Sequence, residues 1–264
     1  MRRYLPFAIV GAVFLIAAGS GVFLFRSKAK TPLKIATGKP GAEPAHIRGG
    51  ANARITLEEF GDFQCPPCGF LAATLLKVEH DYADSVRIVF REFPLAMHPH
   101  AMTAARAAEA AGLQGRFWQM HDLLFQNSMQ WGKPPSPHGS QPNAAPNVSP
   151  LEPAADVRAI FVGYAETIGL DVERFKKDMD GQEAQGRITL DQERAASIGV
   201  DRTPFLFLDG VQVPFTSLDE KQLRGVIDAA LSGRPLPPAQ SPVPTVPPNP
   251  AQTAPANPVP SPPG

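Results

Sequence analysis

Cysteine is almost missing from this chain: two among 264 residues, Cys65 and Cys68. With no other thiols there is no disulfide framework to read. With no second cysteine pair, a structural zinc site of four thiolates is excluded, since such sites take four ligands. An excess of charge is also missing: lysine plus arginine equals aspartate plus glutamate, 25 of each. No large basic surplus is available to meet a nucleic-acid backbone, so nucleic acid is not an expected partner. Charge is absent altogether from Leu5 to Phe25.

That uncharged stretch of 21 residues would span about 31 Å as a helix, close to the hydrocarbon thickness of a bilayer. Arg2 and Arg3 precede it; Arg26, Lys28 and Lys30 follow. A cleaved signal peptide is the alternative, because Ala17-Ala18-Gly19 are small enough for a cleavage site. The apolar run resumes with Val22-Phe23-Leu24-Phe25, which favours an uncleaved transmembrane anchor at 5–25. Positive residues on both sides leave its orientation undecided.

Proline is plentiful instead, 30 residues, more than twice the usual share, and unevenly placed. Residues 26–48 are polar and loop-like and read as a linker. Ser128 to Pro153 carries seven prolines in 26 residues and reads as an exposed loop. Arg234 to Gly264 has 13 prolines and no aromatic residue, so it reads as a disordered, proline-rich tail.

Between these segments the periodicity defines a domain at 49–233. Ile55 to Phe60 reads as a strand running into the cysteines. Phe70, Leu71, Leu75 and Val78 recur at helical spacing between Pro67 and Ala83, and Val86 to Arg91 alternates as a second strand. Helices follow over Ala101–Ala111, Arg116–Gln126, around Val157 to Ile168, Asp171–Asp178 and Gln182–Ser197. Phe205–Leu208 and Val211–Val213 flank Asp209-Gly210, a strong hairpin signal. Ser217 and Glu220 form a plausible capping box for a last helix that carries Leu223, Val226, Ile227, Ala230 and Leu231, and Gly233 ends it. The order β-α-β, helices, β-β-α is an α+β sandwich with an inserted helical block at about 96–200.

The cysteines lie at the first strand-to-helix junction. A disulfide between them closes a very short loop and removes little unfolded-chain entropy, so a staple explains them poorly. A reversible dithiol/disulfide switch fits better. The helix start favours a thiolate at Cys65, while Cys68, within the first turn, is in reach to resolve a mixed disulfide. Pro66 and Pro67 suit first helical positions, which need no N–H. A metal module using Cys65, Cys68 and a histidine of His98-Pro99-His100 is the competing reading, although a lone His-Pro-His after a strand suits a surface turn. Glu59 shares a strand face with Ile55 and Leu57. It either exchanges a proton with Cys68 or is solvated at the sheet's rim. Spacing alone does not single out Thr203-Pro204.

Several separated motifs occur together: Glu59 through Cys68, Arg91-Glu92-Phe93-Pro94-Leu95 with His98-Pro99-His100-Ala101, Ala104 to Ala111, Phe117-Trp118-Gln119-Met120-His121, and Gly199 to Phe205. In these the chain resembles the membrane-anchored bacterial DsbA-like thiol:disulfide oxidoreductases of the thioredoxin superfamily, over about residues 50–232. The resemblance implies a thioredoxin-like α+β fold, with a central mixed sheet and a helical insertion. It implies Cys65 as attacking thiol, Cys68 as resolving thiol, Glu59 as proton acceptor, and a cis Pro204 beside the cysteines. It gives Thr203, Pro204, Pro66 and Pro67 to substrate binding. His98 and His100 become structural at a helix start. No cofactor or metal is implied. Partners are exported protein thiols or disulfides and a membrane redox partner, and the catalytic domain lies outside the cytoplasm, in the periplasm, on the inner membrane. A non-catalytic tethered scaffold, acting through anchor and tail, is a third reading.

Overall fold

The computed structural model describes residues 37–132 and 156–235. The readings for 5–25, 26–36, most of the proline-rich loop and 236–264 lie outside the described residues. Among the described residues no helix is long and apolar enough to cross a membrane.

Five strands form one mixed sheet: β1 (His46–Gly49), β2 (Ile55–Gly61), β3 (Val86–Glu92), β4 (Phe205–Leu208) and β5 (Val211–Val213). Their order is β1-β3-β2-β4-β5, so β2 is the central strand. It runs parallel to β3 and antiparallel to β4; the two edge strands are antiparallel to their neighbours. The parallel β2–β3 pair requires a crossover, which α1 (Pro66–Tyr82) supplies. The remaining helices are α2 (Ala101–Gly112), α3 (Phe117–Gln126), α4 (Ser128–Trp131), α5 (Val157–Thr167), α6 (Val172–Met179), α7 (Gln182–Ile198) and α8 (Glu220–Leu231).

The period-2 alternation of β2 separates two layers. Ile55 and Leu57 pack with Leu71, Leu75 and Val78 of α1 and with Leu223, Val226 and Ile227 of α8. Phe60 points the other way, to Ala195 and Ile198 of α7. All seven alanines of α2 are buried, which lets α3 and the later helices approach its backbone closely. At the β4–β5 hairpin Asp209 and Gly210 both have positive φ, 46° and 79°, as a two-residue primed turn requires. The Asp209 carboxylate also accepts the Thr56 amide at 2.8 Å, which fixes the hairpin to β2.

Three sequence readings need correction. The stretch 37–48, read as the end of a linker, belongs to the domain. His46–Gly49 is an edge strand paired with β3, and the Ala42 amide donates to Asp191 at 2.8 Å while its carbonyl accepts Arg91 at 2.7 Å. The strand was hidden because it has only one apolar residue in four. The loop read from Ser128 starts as helix: Trp131 closes α4, is buried, and packs edge-on against Phe161 at 5.1 Å. The cap of α8 is Asp219, whose side chain accepts the Gln222 amide, and Ser217 lies in the 3-10 turn before it.

At the far end of the sheet from the cysteines, the Arg54 guanidinium donates to the Leu231 carbonyl at 2.8 Å. This bond joins the end of α8 to the residue that precedes β2.

Candidate active site

Cys65 is the N-cap of α1, and its extended backbone turns the chain from β2 into the helix. Its carbonyl accepts the amides of Cys68 at 3.0 Å and Gly69 at 3.3 Å. Pro66 and Pro67 fill the first two helical positions and are exposed. Both cysteines are free thiols, and they differ sharply in access. Cys65 retains 7% of its surface, Cys68 none.

The environment separates their proton affinities. Cys65 is lowered to about 6, chiefly by the hydrogen bond from the Cys68 thiol, helped by its contact with Thr203 and by the Cys68 amide. Past two prolines, that amide is the first one able to stabilise a thiolate at this helix start. Burial, the pairing with Cys65 and the nearby Glu59 charge push Cys68 well above the ordinary thiol value. One sulfur is therefore ionised near neutral pH and the other is held as a thiol.

Glu59 lies on the α1 face of β2, flanked by Phe90 of β3 and Leu206 of β4. It is buried, not solvated at a rim, and its Oε1 has no hydrogen-bond partner. Burial, and then the Cys65 charge, raise its pKa to about 8. Its neighbour Glu58 faces the opposite layer, where Arg91 (3.0 Å) and Arg194 (2.7 Å) neutralise it. Adjacent carboxylates thus differ in chemistry because a strand alternates its faces. Gly61 follows: a Cβ there would stand 2.5 Å from the Phe90 ring, so no larger residue fits.

The Cys65 sulfur lies 3.6 Å from the Thr203 carbonyl, to which it donates only while protonated, and the Thr203–Pro204 bond is cis. The structure thus gathers Cys65, Cys68, Glu59, Thr203 and Pro204. Pro67 and Pro204 continue into a groove of about 520 Å³ with Phe70, Thr74, Phe215 and Leu218. Phe70 and Phe215 are 78% and 58% exposed, an unusual outlay of aromatic surface beside a reactive thiol.

Two residues that received no role from the sequence position the motif. Asp62, its side chain fully buried, accepts the amides of Gln64 (2.7 Å) and Leu95 (2.9 Å) and bonds His98 Nδ1 (2.7 Å). Gln64 accepts the His100 amide at 2.7 Å and donates to the Gly132 carbonyl at 2.8 Å. Both stand within the quoted motif, but only the fold reveals their partners. His98 is therefore committed to Asp62, and His100 is the N-cap of α2. Among the described residues no group of three or more His, Cys, Asp or Glu side chains is arranged to hold a metal.

Comparison with known proteins agrees with this geometry. The thioredoxin family matches residues 42–229. A Na(+)/H(+) antiporter, NhaA 3 of Salinispora tropica, is 37% identical over 166 residues, covering 62% of this chain and 22% of that protein. The chain thus spans under a quarter of that relative. A thioredoxin-like oxidoreductase from Silicibacter pomeroyi is 26% identical with a TM-score of 0.54, covering 72% of this chain and 94% of its own. DsbA2 of Pseudomonas aeruginosa is 27% identical with a TM-score of 0.51, covering 72% and 96%. By this match the chain belongs to the thioredoxin family, and its fold is similar to those of the thioredoxin-like oxidoreductase and of DsbA2.

Proposed function

We propose that this protein exchanges disulfides with exported proteins, tethered to the membrane by residues 5–25 with its catalytic domain on the extracytoplasmic side. The observation that carries the reading is the asymmetry of the cysteine pair: Cys65 near the surface and lowered to about 6, Cys68 buried and raised.

In the reducing direction the Cys65 thiolate attacks a substrate disulfide. A Cys65–substrate bond forms, the substrate's own S–S bond breaks, and one substrate sulfur leaves as thiolate. Cys68 then loses its proton to Glu59 and attacks Cys65 Sγ. The Cys65–Cys68 disulfide forms and the second substrate sulfur leaves. Oxidation of a substrate dithiol is the same sequence reversed, and a membrane redox partner resets the pair. The groove beside Pro67 and Pro204 supports binding of an extended substrate segment. Its aromatic walls suit apolar side chains, and the Thr203 backbone is available to pair with the segment as an added strand.

The test is reduction of insulin, or oxidative refolding of a reduced secreted protein, with wild type and Cys65→Ser. The variant is expected to lose activity. Equal rates would sink the proposal. The equilibrium constant against glutathione then gives the direction of exchange.

A further inference from the structure

Glu59 has a neighbour that the exchange chemistry has not yet used. A small cavity of about 10 Å³, the volume that holds one water, lies against the sheet. Glu59 and His121 both line it, with Arg48, Leu75, Ile88 and Trp118. Buried polar atoms without partners are rare. Here two residues that line one cavity each carry such an atom, Glu59 Oε1 and His121 Nε2.

The other side of His121 explains its tautomer. Its Nδ1 is 2.9 Å from Asp122 Oδ1, and a carboxylate only accepts, so Nδ1 carries the hydrogen and Nε2 presents a bare lone pair. Five aromatic rings, Phe63, Phe90, Phe117, Trp118 and Phe125, hold the imidazole in place. Burial lowers its pKa, which keeps it neutral. Asp122 leads outward: it is 29% exposed and takes Arg48 at 2.6 Å, and Arg48 also meets Glu79 of α1 at 3.4 Å. His46, also on β1, is the remaining titratable group that acts on His121.

We propose that His121, bridged to Glu59 by one water in this cavity, is the relay through which Glu59 exchanges its proton with solvent. The relay rests on the reading of Glu59 as the proton acceptor of Cys68. At neutral pH Glu59 already holds a proton, so it must give one up before it can take one from Cys68. The Glu59 proton passes to the water as the water passes one to Nε2. The Nδ1 proton then moves to Asp122 and out; when the cysteine pair is reset the relay runs inward, Asp122 to Nδ1 and Nε2 through the water to Glu59, which returns the proton and the starting tautomer together. No electrons move in these steps. His121 touches neither sulfur nor substrate, so it is a positioning residue for the proton and not a catalytic one.

The test uses the full-length chain and glutathione disulfide, with acid quenching and mass analysis to separate attack by Cys65 from resolution by Cys68. His121→Gln is expected to slow resolution on the order of tenfold at pH 7, less than the hundredfold typical of a direct acid–base group. Attack by Cys65 and the equilibrium potential should stay as in wild type, which a packing defect would not allow. Glu59→Gln should slow resolution further, and adding His121→Gln to it should cost nothing more. Wild-type resolution in His121→Gln, or additive losses in the double variant, overturns the relay while leaving Glu59 as acceptor. A Glu59→Gln variant that resolves at the wild-type rate removes the acceptor and the relay together. Should His121→Gln fail to fold, nitrogen NMR of wild type decides. A His121 Nε2 signal that steps near pH 8, with the step lost in Glu59→Gln, supports the relay, and a flat signal overturns it.

Discussion

Glu59 is an acid that holds its proton at neutral pH in the fold and would lose it there in an unfolded chain. In the folded protein it titrates at about 8, against an ordinary value of 4.5. Between those values the folded state binds more protons than the unfolded state, so its contribution to stability falls as pH rises from 4.5 to 8 and is fully unfavourable above 8. The difference corresponds to roughly 3–5 kcal/mol. Glu59→Gln is therefore expected to be more stable than wild type at pH 8.5 by up to that amount, and equal to it near pH 4.5. Denaturant unfolding of the reduced proteins at both pH values checks this. Residue by residue, the sequence was informative where the chemistry is local. Cys65 and Cys68 declare themselves by scarcity and spacing. Glu59 could be placed on a strand face, yet whether that face was wet depended on α1 packing over it. Asp62, Gln64 and His121 were present in recognisable motifs, but Asp62 and Gln64 also bond residues more than thirty positions away, and the cavity shared by His121 and Glu59 leaves no periodicity to report it.

At the scale of elements, the residue pattern located seven of the eight described helices and four of the five strands, because burial on one face leaves a repeating mark. Termini are different, since a single side chain decides them. The last helix shows this. A Ser217–Glu220 box and an Asp219 cap are both consistent with the residues, and the 3-10 turn at Phe215–Ser217 selects Asp219. Asp219→Ala is expected to lower stability by about 1 kcal/mol, while Ser217→Ala costs much less than that. Thermal unfolding of the two variants separates them. β1 escaped detection for the opposite reason: an edge strand of four residues is held by backbone pairing to β3 and needs no apolar pattern of its own.

Across the whole molecule, one buried ion network joins segments far apart in sequence. Asp191 of α7 accepts the Ala42 amide (2.8 Å), the Arg91 guanidinium (3.1 Å) and the Glu92 amide (3.1 Å), while Arg91 also holds Glu58. It thereby fastens the entering chain, the helical block and β3 to one another. Removing one member of a buried pair strands its partner, so Asp191→Ala is expected to cost roughly 3–5 kcal/mol. The Ala42 amide should also lose its protection from hydrogen exchange well before the amides of β2 do. Protection unchanged at Ala42 would show that the segment is held by other means. The α+β order and the helical insertion were legible because they follow from the sequence of elements. The latch was not, because it is made of charges whose burial is a property of the assembled molecule.

The bond between Arg54 and the Leu231 carbonyl has a practical consequence. It fixes the point where the chain leaves the domain beside the start of β2, whereas Cys65 follows that strand's end. Seven residues of strand separate the two poles by about 23 Å. A fluorophore, purification handle or solid support attached at the exposed position 234 would thus stand on the side of the domain facing away from the reactive sulfur, with the substrate's approach left open.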